Sequence, residues 1–410
     1  MQVAVLGAGV VGITTAYYLL RQGHDVTVVD RENSVAAGCS FANGAQLSYS
    51  YVDAMASPSF LARVPGLLAG IERAIRIRPP LDGHMLRWGS AFVAECSSSR
   101  AAGNTAANLE LAARSRHLLA ELRRTLPDSF DHREAGKLVL LTKPKDVENA
   151  RRASDVKASF GCDANVITMD EATAIEPAVA HMAGDYCGAV WSPGDDVGDA
   201  GRFTRVLAET IAADSRCRMR LGAEVEGLVI RDGQIGGVRT DAGQLDADAV
   251  VVCLGSWSPA LLRPLDIRLP IVPARGYSLT LEPGAHATSV SITDFSSRFV
   301  ISRIGERVRV AGFADFFGFD TTRDQRRIAA LLETAATKAP GAADYQSVPD
   351  HAWGGFRPLT PNGQPIIGPT RIDGLYLNTG HGSFGWTLAC ASGDSIARQI
   401  AAGRAAALAA

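Results

Sequence analysis

Three observations predict an α/β chain built from two interleaved domains. A Gly-x-Gly-x-x-Gly motif stands between a short apolar strand and a helix at residues 7–12. Far along the chain, Asp248–Leu254 (DAVVVCL) is a continuous apolar run, the pattern of a strand buried on both faces of a parallel sheet. Other apolar runs alternate and break at tight turns, the pattern of antiparallel strands. The expected architecture is a Rossmann-type dinucleotide-binding domain, discontinuous in sequence, beside an α+β domain with a mainly antiparallel sheet. A chain of 410 residues, 47% hydrophobic, has the length and apolar content for both.

Composition excludes several function classes. Forty-one basic residues against 43 acidic ones leave a formal net charge of −2, with no basic stripe, so no nucleic-acid partner is expected. The seven cysteines form no C-x-x-C pair and no cluster with histidine, which argues against a disulfide framework and a metal site. Reduced thiols fit a cytoplasmic protein. The N-terminus, MQVAVLGAGVVG, lacks a basic leader and cleavage site, and no uncharged apolar run reaches the ~18 residues of a membrane span.

In chain order, Gln2–Leu6 reads as a strand, Val10–Leu20 as a helix and Asp25–Val29 as a second strand. Between the first two stand Gly7, Ala8, Gly9, Val10, Val11 and Gly12. Gly7 makes the tight turn, Gly9 admits a pyrophosphate against the backbone, and Gly12 lets helix and strand pack closely. The helix start offers N–H groups and a positive dipole end to phosphate. Asp30, at the end of the second strand, is placed to accept from ribose hydroxyls and disfavours a 2′-phosphate, leaving NAD and FAD both open.

The stretch Ser34–Ser50 is rich in small residues and reads as a loop followed by a helix start, its backbone able to pass near a ligand. Phe60–Arg78 mixes leucine and isoleucine with arginine before Pro79 and Pro80. It reads either as a basic amphipathic face for a membrane surface or as a solvated face beside a packed one. Helices are expected over Asn108–Thr125, Asp146–Ser159, Asp199–Ala213 and Thr321–Thr337, and strands over Gly136–Thr142, Gly276–Leu281, Arg298–Ile304 and Arg307–Phe313. Met219–Leu221, Glu224–Ile230 and Ile235–Thr240, split by Asp232-Gly233 and closed by Asp241-Ala242-Gly243, form a β-meander. The run Asp248–Leu254 ends at Gly255-Ser256-Trp257, a close approach for a cofactor at a strand end.

The densest signal is residues 353–393. Strands at Pro365–Gly368 and Gly374–Asn378 lead into Thr379-Gly380-His381-Gly382-Ser383-Phe384-Gly385-Trp386-Thr387 and a helix from Leu388 to Ala401. This second strand–glycine loop–helix unit aims N–H groups and a positive dipole end at one point, suited to the pyrimidine end of a flavin. Arg357, among apolar neighbours before Pro358, needs an anionic partner; a substrate carboxylate or an internal acid meets that need. His381 between glycines suits a backbone contact better than a base.

With these motifs in hand, the chain resembles the FAD-dependent D-amino acid dehydrogenase small-subunit family, in the wider group of D-amino acid oxidase, glycine oxidase and sarcosine oxidase. The resemblance runs the whole length, through VAVLGAGVVG…VVDR (3–31), SFANGAQLS (40–48), LGSWS (254–258), RGYSLT (275–280), SRIGERVRVAG (302–312), GFRPLTPNGQPIIG (355–368) and LNTGHGSFGWTLACASG (377–393). It implies non-covalent FAD, with no cysteine between Cys253 and Cys390 to attach it. The ADP half is implied on residues 7–12, Asp30 and Arg31. The segment Ser40, Asn43, Gly44, Ala45, Gln46 and Leu47 is implied beside the flavin, with Val225 near the adenine. Cys253, Leu254, Gly255 and Trp257 border the cofactor, and Gly380–Thr387 holds the isoalloxazine. Arg357 is implied as the carboxylate clamp, also bordering the cofactor. The second arginine of glycine oxidase, in the loop matching Ser383–Phe384, is absent here, which leaves Tyr277, Ser48, Tyr51 or Arg303 to share the carboxylate.

The domains are expected at 1–80, 198–262 and 350–410 for FAD, and at 81–197 and 263–349 for substrate. The implied reaction is oxidative deamination of a D-amino or D-proline-like imino acid. Hydride leaves Cα–H for flavin N5, giving an imine and then a 2-keto acid, with orientation supplying most of the catalysis. Electrons pass to a quinone or other membrane carrier, which suits peripheral contact through 60–78 at the inner face of the membrane. The alternatives are an oxygen-using amine oxidase and a non-catalytic FAD-binding subunit; an NAD-dependent dehydrogenase shares only the first motif.

Overall fold

A computed structural model of the chain describes residues 1–78 and 82–409. The proline pair at 79–80 lies outside them. Two large sheets organise the described residues. The first has six strands in the order Ile366–Pro369, Leu375–Thr379, Ala249–Val252, Gln2–Leu6, Asp25–Asp30 and Cys217–Leu221. All pair in parallel except Ile366–Pro369, which runs antiparallel to its neighbour.

Strand alternation sorts the apolar side chains onto two faces. Val3, Val5, Val26, Val28, Ala249 and Val251 pack against the helices Val10–Arg21, Ser98–Arg123, Ala200–Ala212 and Gly385–Ala409. Ala4, Leu6, Val29, Val250, Val252 and Leu375 face the meander Val225–Arg231, Gln234–Thr240 and Gly243–Asp246. Burial on both faces explains why these strands read as unbroken apolar runs.

The second sheet orders His351–Leu359, Val272–Leu281, Arg307–Phe316, Phe299–Ile304, Ser291–Asp294, Lys137–Leu141, Gly188–Ser192 and Asn165–Ile167, with Ile75–Ile77 paired to Arg307–Phe316. Most of its pairs are antiparallel. Its outer face buries Tyr277, Leu279, Phe299, Ile301, Val308 and Val310 against the helix Asp324–Lys338. The boundaries expected at 80 and 350 cut through this sheet, because Ile75–Ile77 and His351–Leu359 are both strands of it.

Other expectations differ in instructive ways. The stretch 34–50 contains no helix; Gln46–Leu47 instead pairs with Asp196–Val197, and Ala45 holds φ of 57°. Residues 60–78 form two short helices, Pro58–Leu61 and Val64–Leu68, then a strand, with Pro65 in the first turn of the second helix. Pro and Gly there prevent one continuous amphipathic helix. The helix expected from Asn108 starts ten residues earlier, after a Ser97 cap on Arg100 N–H. An unforeseen helix, Gly83–Glu95, is capped by Asp82 Oδ1 accepting from Met85 N–H at 2.8 Å.

Candidate functional site: a cofactor cleft between the two sheets

The glycine motif lies at the end of the central parallel strand. A Cβ on Gly12 would drive into the Gly7 carbonyl oxygen, and one on Gly7 would come within 2.7 Å of the Cys253 carbonyl oxygen. These two glycines therefore serve packing between adjacent elements. Ser40 Oγ accepts the Val10 N–H at 2.9 Å, and the helix carries no acid in its first turn. Asp30 accepts Ala8 N–H at 2.6 Å and Glu32 N–H at 2.9 Å, so it also braces the glycine loop, with lone pairs left for a ribose. Ala223 N–H donates to the Asp30 carbonyl, which brings the start of Val225–Arg231 alongside.

Arg31 lies 4.3 Å over the Trp257 ring, and Trp257 stacks on Phe319 at 4.0 Å. Gly255–Trp257 forms a 3₁₀ turn directly after Leu254. The Cys253 side chain is buried toward Thr15 Oγ1, and burial pushes its thiol up to about 12. Cys253 presents its carbonyl to Gly7 and its Cβ to Gly12.

The segment 42–48 crosses the inner face of the nine-stranded sheet, and successive strands fasten it. Ser278 Oγ donates to the Ala42 carbonyl at 2.5 Å, Arg309 to the Asn43 carbonyl at 2.8 Å, and Ser302 Oγ to the Gly44 carbonyl at 3.2 Å. Gln46 Nε2 donates to Ser291 Oγ at 2.5 Å, and Lys137 Nζ donates to Gln46 Oε1 at 3.0 Å and Ser48 Oγ at 2.8 Å. On the other side Ser48 N–H reaches Thr387 Oγ1 at 3.2 Å, while Leu47 turns into the core. Ser278, Arg309, Ser302, Ser291 and Lys137 were invisible to sequence reasoning. Alternation implies that one parity faces inward, but nothing in the residues says which.

The loop after Leu375–Thr379 completes the cleft. His381 bridges Leu359 through its backbone, and Gly382 N–H donates to the Pro358 carbonyl at 2.9 Å. Burial pushes the His381 imidazole down to about 3, so it stays neutral, and its Nε2 is buried without a partner among the described residues. Ser383, Phe384 and Gly385 lead into the last helix, whose first N–H groups have no preceding intrahelical carbonyl. Trp386 departs from expectation. Its side chain leaves the cleft, packs 4.6 Å from Phe203 and donates to the Gly198 carbonyl, because a helix's second residue here faces the core.

Arg357 sits on the inner face beside Gly276, where any Cβ would collide with its guanidinium. Its Nη1 donates to the Phe313 carbonyl at 2.7 Å, and no acid pairs with it among the described residues. Neighbouring Arg275, by contrast, is paired with Asp324.

Tyr277 and Arg303 do not join Arg357. Both lie one residue out of phase with the inward Ser278 and Ser302, so alternation turns them to the opposite face. There Tyr277 OH donates to Asp315 Oδ2 at 2.9 Å, and Arg303 meets Glu306 and the Gly305 carbonyl at the hairpin tip. Ser48 and Tyr51 do lie inward. They gather at Lys137, whose Nζ is 4.3 Å from the Tyr51 ring centroid, and no hydrogen bond links either to Arg357.

No group of three or more acidic, histidine or cysteine side chains able to hold a metal occurs among the described residues. Comparison with known proteins accounts for the architecture. Residues 2–399 match the model of the DAO family, FAD-dependent oxidoreductases. D-amino acid dehydrogenase 2 of Ralstonia nicotianae is 41% identical over 98% of this chain and 96% of its own. A D-amino acid dehydrogenase of Dechloromonas aromatica is 40% identical over 98% of both chains. Among solved structures, glycine oxidase from Bacillus cereus superposes with a TM-score of 0.75 at 23% identity, covering 98% of this chain and 95% of that one. A full-length match of this kind, over a parallel sheet carrying the glycine loop and a second, mainly antiparallel sheet, places the chain in the DAO family of FAD-dependent oxidoreductases.

Proposed function

We propose that the protein oxidatively deaminates D-amino acids or D-proline-like imino acids as an FAD-dependent dehydrogenase. The observation that carries this reading is Arg357, a partly buried guanidinium on the inner face of the nine-stranded sheet with one backbone partner and, among the described residues, no acid. Burial pushes its pKa down, a cost that a substrate carboxylate in the bidentate fork offsets. The full-length relatives named D-amino acid dehydrogenase supply the substrate class.

The residues present fit FAD. Gly9, Val11 and Gly12 open a helix start toward the phosphates, Asp30 keeps acceptor capacity for the ribose, and Val225 stands beside it at the adenine end. Ser40, Asn43, Gly44 and Ala45 line the flavin with backbone, Gln46 sits behind them, and the loop 380–387 brings a second helix start and the orphaned His381 Nε2. FAD, when bound, supplies the acceptor for the two electrons leaving Cα. Held non-covalently, it needs no reactive thiol, and burial keeps both Cys253 and Cys390 protonated.

The chain's own work is orientation. Arg357 holds the carboxylate against Gly276, and the cleft walls set Cα–H toward the cofactor. No side chain need take the amine proton: His381 is held neutral at about 3, and Tyr51 is pushed up to about 12 by burial. An anaerobic titration of the purified protein against D-, L- and N-substituted amino acids tests the reading. Bleaching of the flavin band by D-amino acids or D-proline, and not by L-enantiomers, is the expected result. A yellow protein that none of them bleaches would remove the substrate class.

We also infer that electrons leave for a quinone in an anionic bilayer on which the protein docks. Leu61, Leu68 and Ile71 are exposed, at 36%, 63% and 76%, beside exposed Arg73, Arg76 and Arg78, with Leu86 and Val93 exposed on the following helix. Such apolar points with flanking arginines suit a charged membrane surface. No helix among the described residues is long and apolar enough to cross a membrane. Cosedimentation with vesicles containing anionic lipid, lost in Leu68→Asp/Ile71→Asp, is expected; equal binding by that double variant would sink the docking surface.

A further inference from the structure

The most unusual charge in the molecule outside Arg357 is Lys137. It opens the strand Lys137–Leu141, is 2% exposed, and forms no ion pair among the described residues. Its hydrogen bonds go instead to two neutral oxygens, Gln46 Oε1 at 3.0 Å and Ser48 Oγ at 2.8 Å. Burying a lysine without a carboxylate costs several kcal/mol, so an apolar side chain would serve stability better at this position. Both hydrogen-bond partners of the ammonium belong to the segment read above as lining the flavin, and the Tyr51 ring centroid lies 4.3 Å from it.

We propose that Lys137 is a positioning residue whose ammonium clamps Gln46 and Ser48 from behind and holds a positive charge at the back of the flavin-lining segment. The inference rests on that segment being the flavin's neighbour. A positive charge in this low-dielectric position favours electron arrival on the cofactor, since opposite charges attract more strongly where water is excluded. The charge is conditional on pH. Burial lowers the Lys137 pKa to about 8, the nearby Lys157 also lowers it, and the Asp195 and Asp53 carboxylates raise it. Tyr51, the remaining titratable group against it, is pushed up to about 12 and stays neutral across this range. Below pH 8 the ammonium is in place; above it the charge and one donor are lost together.

The test reads the flavin's midpoint potential against a reference dye in the FAD-loaded protein, from pH 6 to pH 10. Wild-type protein is expected to show an additional fall in potential as pH rises through about 8, absent in Lys137→Arg, whose cation does not titrate there. In Lys137→Met the equilibrium constant for two-electron reduction at pH 7 is expected to drop roughly tenfold, ~30 mV, with Lys137→Arg restoring it. The same break in wild type and Lys137→Arg overturns the proposal, as does a Met variant of unchanged potential. A Met shift that Arg does not restore also overturns it, since packing alone would then be responsible. Should the Met variant fail to retain FAD, the comparison of wild type with Lys137→Arg decides. Thr387→Val separates the two levels of inference: if it shifts the flavin spectrum while Lys137 variants do nothing, only the lysine's role falls. If neither moves the flavin, the placement of the cofactor falls with it.

Discussion

Arg357→Ala is expected to lower kcat/KM for D-alanine by roughly 30- to 4000-fold, mostly through KM. Removing one partner of a buried, hydrogen-bonded charge pair costs ~2–5 kcal/mol, and each 1.4 kcal/mol is tenfold. The carboxylate contact exists before and during reaction, so its loss falls chiefly on binding. Lys in place of Arg should recover only part, because a point charge cannot make the two parallel bonds of the fork. The free protein's thermal midpoint should hardly fall: the side chain surrenders one hydrogen bond, to the Phe313 carbonyl, and a desolvated charge is removed with it. Steady-state kinetics beside a melting curve checks both halves, and an unchanged KM would end the clamp assignment.

Gly9→Val is expected to give a folded, colourless protein. Gly9 has φ of −76° and ψ of 179°, extended backbone that any residue adopts, and a Cβ there meets only Ser40 Oγ at 3.3 Å. The added side chain therefore leaves the fold intact and fills the approach to the free N–H groups of the helix start, where a pyrophosphate belongs. Gly12→Ala is the contrasting case: its Cβ runs into the Gly7 carbonyl, so strand and helix must part and folding itself should fail. Flavin absorbance per mole of protein, with circular dichroism as the control, separates the two outcomes. Normal FAD content in Gly9→Val would move the phosphates elsewhere.

These two residues also mark how far the sequence carries. The glycine loop was legible because steric demand leaves one residue type, and its flanking strands declare themselves by burial on both faces. Arg357 was legible as a cation needing an anion. Tyr277 lies out of phase with the inward face: a strand buried on both sides hides which parity turns inward, and it is Ser278 that does so. The strand His351–Leu359 is hard to read because Gly354, Gly355 and Pro358 dilute its β signal, although Gly354 leaves room for the Arg275 side chain and Gly355 for the Trp353 ring. Lys137 was the least legible, since a lysine in a five-residue apolar strand is ordinarily a solvent-facing end.

The parallel sheet sets Gln2–Leu6 between Asp25–Asp30 and Ala249–Val252, and next but one to Leu375–Thr379. In the order in which a ribosome delivers the chain, the glycine loop emerges well before the loop 380–387. One edge of Gln2–Leu6 can pair early with Asp25–Asp30, while the other stays open until Ala249–Val252 has been made. The two glycine-rich loops of this architecture therefore come together only after the strand Leu375–Thr379 has joined the sheet.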